Sequence, residues 1–237
     1  MDIQAIIFDK DGTLMKFDCF WIEVSRCAAE ELLRRLGRED IPVGRLLEVL
    51  GVAGETADID GLLCKGTYEQ IALAMGAVLR DFGVEISDSE LIKLTLAAYS
   101  DHADAGKIEP ICENMQGVLK RLKSGGRRLA VVTTDDSHIT HKCLSALGIE
   151  DLFEKVYTDD GINPIKPNPE CALKFLSEYH IPTQNAVMVG DTMTDIRFAR
   201  NAGISAIGVG SSRERLKPYA DAVIPDISHL PDVIEGE

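Results

Sequence analysis

Apolar residues recur along this chain at two different periods, and the changes between them mark out its parts. Ile3, Ala5, Ile6, Ile7 and Phe8 form a short apolar run that ends in Asp9-Lys10-Asp11-Gly12-Thr13. Such a run, bounded by a Gly-containing turn, predicts a buried parallel strand. A helical period follows at once. Over residues 20–37, Trp21, Val24, Ala28, Leu32 and Leu36 share one face, Glu23, Arg26, Glu30 and Arg34 lie elsewhere, and Gly37 supplies a stop. Pro42 opens a short helical stretch through Leu50, and 51–66 reads as a Gly-rich loop region. Residues 67–82 and 87–105 read as two further helices, with capping-box patterns at Thr67/Gln70 and Ser87/Glu90. No strand is predicted between Leu14 and about Gly106.

From Asn114 onward helix and strand alternate. Helices are predicted over 115–124, 139–147, 168–179 and 195–201, with Gly125-Gly126, Gly148 and Gly203 closing three of them. Between them lie strands at 129–132, which stops at Thr133-Thr134-Asp135, and at 155–158, which is weaker. Further strands fall at 186–189, ending at Gly190-Asp191, at 205–209, and at 222–224 as a last edge strand. This alternation predicts an α/β fold, a doubly wound Rossmann-like parallel sheet. The expected division is residues 1–15 and 107–237 for a discontinuous α/β core and 16–106 for a helical insert large enough to be a domain. No internal repeat, low-complexity tract or flexible linker stands out.

Composition narrows the function. The 237 residues allow one large or two modest domains, and 45% hydrophobic with 27% charged residues is ordinary for a soluble globular protein. A formal net charge of −14 argues against nucleic acid and anionic membranes as partners. An anionic substrate is still possible, provided that a metal or a well-placed Lys reverses the local potential. Cys19, Cys27, Cys64, Cys112, Cys143 and Cys171 show no CxxC spacing and no His at ligand spacing. Free thiols in a reducing compartment are expected. The chain enters a strand at once without a basic leader, and no apolar run reaches membrane-spanning length, so a cytoplasmic location is expected.

The candidate chemistry lies where strands end. Strand alternation would aim Asp9 and Asp11 the same way and Lys10 the other, with Gly12 turning the chain and Thr13 satisfying nearby backbone groups. The first, second and fourth strands of the α/β half each end in Asp, Thr or Gly, and the C-terminal edge of a parallel sheet is where such folds bind ligands. The converging pieces are Asp9 and Asp11, Thr133, Lys166 in Lys-Pro-Asn-Pro-Glu, and Asp191 and Asp195 in Gly-Asp-Thr-Met-Thr-Asp. So many carboxylates at one edge call for a divalent cation, and all-oxygen ligation suits Mg²⁺. Asp9 could then attack phosphorus, and Asp11 could protonate the leaving oxygen and later activate water. Thr133 offers a hydroxyl and Lys166 a fixed positive charge. The bland alternatives are solvated turns for Asp9, Asp11 and Asp191 and a helix cap for Thr133. For Lys166 the alternative is a surface position, and for Asp195 a favourable place at a helix N-terminus. The histidines, Trp21 and Met75 read as packing or surface groups.

These motifs, in this order and spacing, resemble the haloacid dehalogenase-like superfamily of phosphohydrolases over residues 1–15 and roughly 107–230. The resemblance implies Asp9 as nucleophile, Asp11 as general acid/base, Thr133 as phosphate-binding hydroxyl with Thr134 beside it, and Lys166 as the charge-neutralising lysine. It implies that Mg²⁺ is held by Asp9, Asp191 and the backbone carbonyl of Asp11, with Asp195 supporting the metal site. The helical insert stands where the family places an α-helical cap, as in phosphoglycolate phosphatase-like members, with hinges expected near 14–17 and 106–109. An acid at position 11 departs from the family's ion-pumping ATPases, which carry Thr there, and from its dehalogenases, which lack the acid. Glu55, Lys65 and His102 of the insert align with no specificity position. The expected function is a Mg²⁺-dependent phosphatase acting on a small phosphorylated metabolite. A phosphomutase of the β-phosphoglucomutase type shares every core residue, whereas a receiver-type phospho-acceptor would lack both Asp11 and the insert.

Overall fold

A computed structural model describes residues 2–161 and 164–236 of the chain. Its strands, in chain order, are β1 (Ala5–Phe8), β2 (Val52–Ala53), β3 (Thr56–Ala57), β4 (Arg128–Asp136), β5 (Lys155–Asp159), β6 (Ala186–Gly190), β7 (Ser205–Val209) and β8 (Ala222–Ile224). Six of them form one sheet in the order β5-β4-β1-β6-β7-β8, and every pairing in it is parallel. The doubly wound arrangement predicted from the alternation is therefore present, with β8 at an edge. Helices Met115–Ser124, Ser137–Ala146, Glu170–Glu178 and Met193–Ala202 lie between the strands in sequence.

All four residues of β1 are fully buried, which explains why its sequence is continuously apolar rather than alternating. On one face Ala5 and Ile7 join Ala130, Val132 and Met188 in a core closed by Phe175 and Phe198 of the covering helices. Phe8, which points from the same strand to the other face, meets Phe153 edge to face at 6.1 Å. Each such fully buried side chain contributes about 1.5–3 kcal/mol relative to exposure.

The chain divides into two compact units, one running through Lys16 and resuming at Ile108, the other comprising Phe17–Lys107. Within the α/β unit the segments before and after the insert are hydrogen-bonded to each other. Lys16 N–H donates to Glu109 O at 3.0 Å and Ile111 N–H to Leu14 O at 3.0 Å. The insert therefore departs and returns at one place, just past the β1 motif.

The helical unit contains Asp18–Arg35, Val43–Glu48, Leu62–Lys65, Tyr68–Asp81 and Asp88–Asp101. The predicted apolar face of the first helix is buried through Trp21, Val24, Ala28 and Leu32. Tyr99 donates from its hydroxyl to Ser25 at 2.9 Å inside the unit. Thr67 and Gln70 form the complete reciprocal capping box, with bonds of 3.2 and 3.0 Å. Ser87 accepts from Glu90 N–H at 3.3 Å, which is the first half of the second box.

Two expectations are corrected. The insert contains a hairpin, β2 paired antiparallel with β3. It turns at Gly54, whose φ is +64°, and two-residue strands are too short to show an alternating pattern. β4 continues to Asp136 rather than stopping at Thr133, with a register irregularity between Val132 and Asp136. Polar residues continue that strand because pairing with β5 resumes at Asp136↔Asp159.

Candidate active site

Register brings the pieces together. Phe8 pairs with Val131 of β4 on one side and Val189 of β6 on the other. The residues that follow these positions, Asp9, Val132-Thr133 and Gly190-Asp191, therefore lie along one sheet edge. Asp9 N–H donates to Val189 O at 2.9 Å, which extends the ladder by one residue.

Lys166, 6% exposed, donates from Nζ to Asp9 Oδ1 at 2.5 Å and to Asp195 Oδ1 at 2.7 Å. Asp195 is 1% exposed, and its second oxygen accepts from Thr192 N–H at 3.0 Å and from the Thr192 hydroxyl at 2.7 Å. It therefore caps helix Met193–Ala202 and pairs with Lys166 at once. One carboxylate oxygen from each of Asp9, Asp191 and Asp195 lies within 4.8 Å of the others. Asp191 Oδ1 is buried without a hydrogen-bond partner among the described residues, and the Ser212 hydroxyl donates to the Asp191 carbonyl. Gly12, with φ +70°, lets the chain pass beside Asp191, since a Cβ there would lie 2.1 Å from Asp191 Oδ2.

Asp11 does not share that cluster. Its Oδ2 lies 2.7 Å from Lys10 Nζ, which also reaches Asp135 Oδ2 at 2.8 Å. The expectation that Lys10 points away from Asp11 is overturned. β1 ends at Phe8, and Lys10 O accepts the N–H groups of Leu14 at 2.8 Å and Met15 at 3.1 Å. The backbone has turned there, so strand alternation no longer governs the side chains. Lys10 is fully buried. Sequence reasoning missed both Lys10 and Asp135. The available signal was a lysine between two aspartates at the end of an apolar run.

Thr133 is 3% exposed, and its hydroxyl accepts from Asp135 N–H at 3.3 Å. It is not the cap of the next helix, a role taken by Asp136, which accepts from Ile139 N–H at 3.0 Å. Thr134 is exposed. The hydroxyl of Thr13 is buried without a hydrogen-bond partner among the described residues, so it does not satisfy their backbone groups as expected.

Burial sets the electrostatics. It pushes the Asp9 carboxyl up to about 6, with Lys166 opposing, and the Asp11 carboxyl up to about 8, with Lys10 opposing. Asp191 is raised well above the ordinary range by burial and then by the charges of Asp9 and Asp195. Burial disfavours charge on Lys166 and Lys10 as well, yet the paired acids outweigh it and raise both. Two lysines thus offset part of the acids' charge, and a dication could take the place of the protons that burial favours. The oxygen-only donor set and the unpartnered Asp191 Oδ1 fit a hard cation.

Comparison with known proteins yields a consistent set of matches. A model of the family described as haloacid dehalogenase-like hydrolase matches residues 65–209. That span contains Thr133, Lys166, Asp191 and Asp195 and begins after Asp9 and Asp11. A phosphoglycolate phosphatase of Neisseria meningitidis is 31% identical over 242 residues, covering 99% of this chain and 93% of the relative. One from Vibrio vulnificus is 30% identical over 240 residues, covering 98% and 96%. The crystal structure of a HAD phosphatase from Thermococcus onnurineus superposes with a TM-score of 0.68 at 24% identity, covering 99% of each chain. Its likeness shows a common fold.

Proposed function

The chain belongs to the haloacid dehalogenase-like hydrolase family, and from that premise we propose that it is a Mg²⁺-dependent phosphatase of small phosphate monoesters. The observation that carries this reading is the convergence of Asp9, Lys166, Asp191 and Asp195, with Asp191 Oδ1 buried and without a partner among the described residues. In the first step a carboxylate oxygen of Asp9 forms a bond to phosphorus as the ester P–O bond breaks, and Asp11 gives its proton to the departing oxygen. In the second, water attacks the aspartyl phosphate and passes a proton to Asp11. The Asp9–phosphorus link breaks, releasing inorganic phosphate. Lys166 holds positive charge beside Asp9 throughout, and the Thr133 hydroxyl donates to a phosphoryl oxygen. Uncatalysed ester hydrolysis requires acceleration of up to ~10²¹, roughly 28 kcal/mol, so these groups must act together.

Asp9 and Asp191 are the direct ligands we assign to Mg²⁺, with Asp11 contributing its backbone carbonyl. Asp195, whose oxygens already accept from Lys166 and Thr192, supports them. When bound, the ion neutralises the carboxylates and offers positive charge to the phosphoryl oxygens. The full-length relatives are named phosphoglycolate phosphatases, which favours small anionic esters of that kind over a mutase reaction. The helical unit takes the role of a cap that selects among them. Six cysteines without CxxC spacing support a reducing, cytoplasmic setting.

Purified protein with Mg²⁺ should release inorganic phosphate from members of a panel that includes 2-phosphoglycolate and hexose phosphates. Asp9→Asn and EDTA should each abolish release, and added Mg²⁺ should restore it only after chelation. Conversion of a hexose 1-phosphate to its 6-phosphate without net phosphate release would identify a mutase instead. Full activity after exhaustive chelation would overturn the metal assignment.

A further inference from the structure

Two buried lysines each pair with two acids at this sheet edge. Lys166 pairs with Asp9 and Asp195, whereas Lys10 pairs with Asp11 and Asp135. We propose that Lys10, anchored on Asp135, is a positioning residue that fixes the Asp11 carboxyl for proton transfer to the leaving group. The inference rests on the assignment of Asp11 as general acid.

Its support is geometric. Lys10 is fully buried, in a position where an apolar side chain would pack without the cost of desolvating an ammonium group. The charge is retained where it meets two carboxylates, at 2.7 and 2.8 Å, and where Met15 Sδ lies 3.7 Å from Nζ. The lysine's own backbone is fixed, because its carbonyl accepts from Leu14 and Met15 N–H. Asp135 lies on β4 with Thr133, and its N–H donates to the Thr133 hydroxyl. Lys10 therefore ties the turn that bears Asp11 to the strand that bears Thr133. A general acid must lie within hydrogen-bond reach of the atom that it protonates, and this tie sets where Asp11 stands relative to β4.

The test compares kcat/KM for an alkyl ester, 2-phosphoglycolate, with that for p-nitrophenyl phosphate, whose leaving group needs little protonation. This parameter reports steps through departure of the leaving group and is insensitive to later hydrolysis of the aspartyl phosphate. Asp135→Ala and Lys10→Met should each lower the alkyl/aryl ratio by at least about tenfold, a part of the ~10²–10⁴-fold that general acids contribute. The two changes together should lower it no further than the larger alone, because they act through one group. In an Asp11→Asn background Asp135→Ala should leave the ratio unchanged.

Equal losses for both esters, or a further fall in the ratio in the Asp11→Asn background, would show that the pair is only structural. Asp135 is partly exposed, so its variant decides the matter if Lys10→Met does not fold. A wild-type protein inactive on every ester would instead overturn the phosphatase reading itself.

Discussion

Asp11 is the residue on which the proposed chemistry turns. An ordinary aspartate, with a pKa near 3.9, would be ionised at neutral pH and could donate nothing. Burial pushes the Asp11 carboxyl up to about 8, so it holds its proton below that pH. Asp9, pushed up to about 6, must lose its proton to attack. The activity towards alkyl esters should therefore fall as pH rises through about 8 and as it falls through about 6. Mg²⁺ beside Asp9 favours its charged form and moves the acid limb lower. A kcat/KM profile for an alkyl ester checks both limbs, and a profile still rising at pH 9 would remove Asp11 as the acid. A covalent readout is independent of these values. Asp11→Asn keeps the shape of the side chain but can neither give the proton nor accept one from water. Supplied with acetyl phosphate, it should accumulate a phosphate adduct by intact mass while wild type shows little. The Asp9→Asn, Asp11→Asn double variant should show none.

At the level of elements, the turn after β1 is as important as the residues that it presents. Gly12 combines φ +70° with an approach to Asp191 that leaves no room for a Cβ, whereas Gly37 has φ +63° and nothing among the described residues within 4 Å of the added atom. Alanine at position 37 should cost only the left-handed strain, about 1–2 kcal/mol, and leave Mg²⁺ binding intact. Alanine at position 12 should add displacement of Asp191 and weaken Mg²⁺ at least about tenfold, a loss of some 1.4 kcal/mol. Calorimetric Mg²⁺ titration beside thermal melts of both variants separates the two effects, and equal Mg²⁺ affinities would refute the steric argument. The same turn marks how far the sequence could be read. Apolar runs such as Ile3–Phe8 and 186–189 announced their strands because burial on both faces leaves an uninterrupted pattern. The convergence of Asp9, Thr133 and Asp191 followed from parallel strand ends sharing an edge, whereas Lys166 and Asp195, in a loop and a helix, were placed by their motifs. Lys10 was misread because a period of two applies only while the backbone is extended, and it ceases at Phe8. The Lys10–Asp135 contact joins residues far apart in sequence and has no local signature. The hairpin at β2 and β3 was too short to have one.

For the whole molecule, a cap role for the helical unit predicts that a small ester such as 2-phosphoglycolate outcompetes a phosphopeptide by a wide margin in a mixed assay. Equal use of both would remove that role. Stability should carry a second signature of the site. Asp9, Asp11 and Asp191 all have carboxyls raised by burial, so the folded protein holds protons that the unfolded chain releases near pH 4. Where the folded state binds more protons, unfolding free energy falls as pH rises. The contribution is present in full below about pH 4 and is lost through the folded values, about 6 for Asp9 and about 8 for Asp11. The acids shifted the other way, such as Asp221 and Asp226, lie below the ordinary range and are ionised in both states across this window. A net charge of −14 acts in the same direction, because every released proton adds to self-repulsion. Metal-free protein should therefore lose stability steadily from pH 5.5 to 8.5 in urea titrations. Mg²⁺ should stabilise it more at the upper end, because the ion takes the place of protons that are already leaving. Each equivalent bound at pH 6 should release protons that a weakly buffered titration detects. If metal-free protein gained stability over this range, the buried acids would have to be ionised already, with Lys10 and Lys166 alone holding them together.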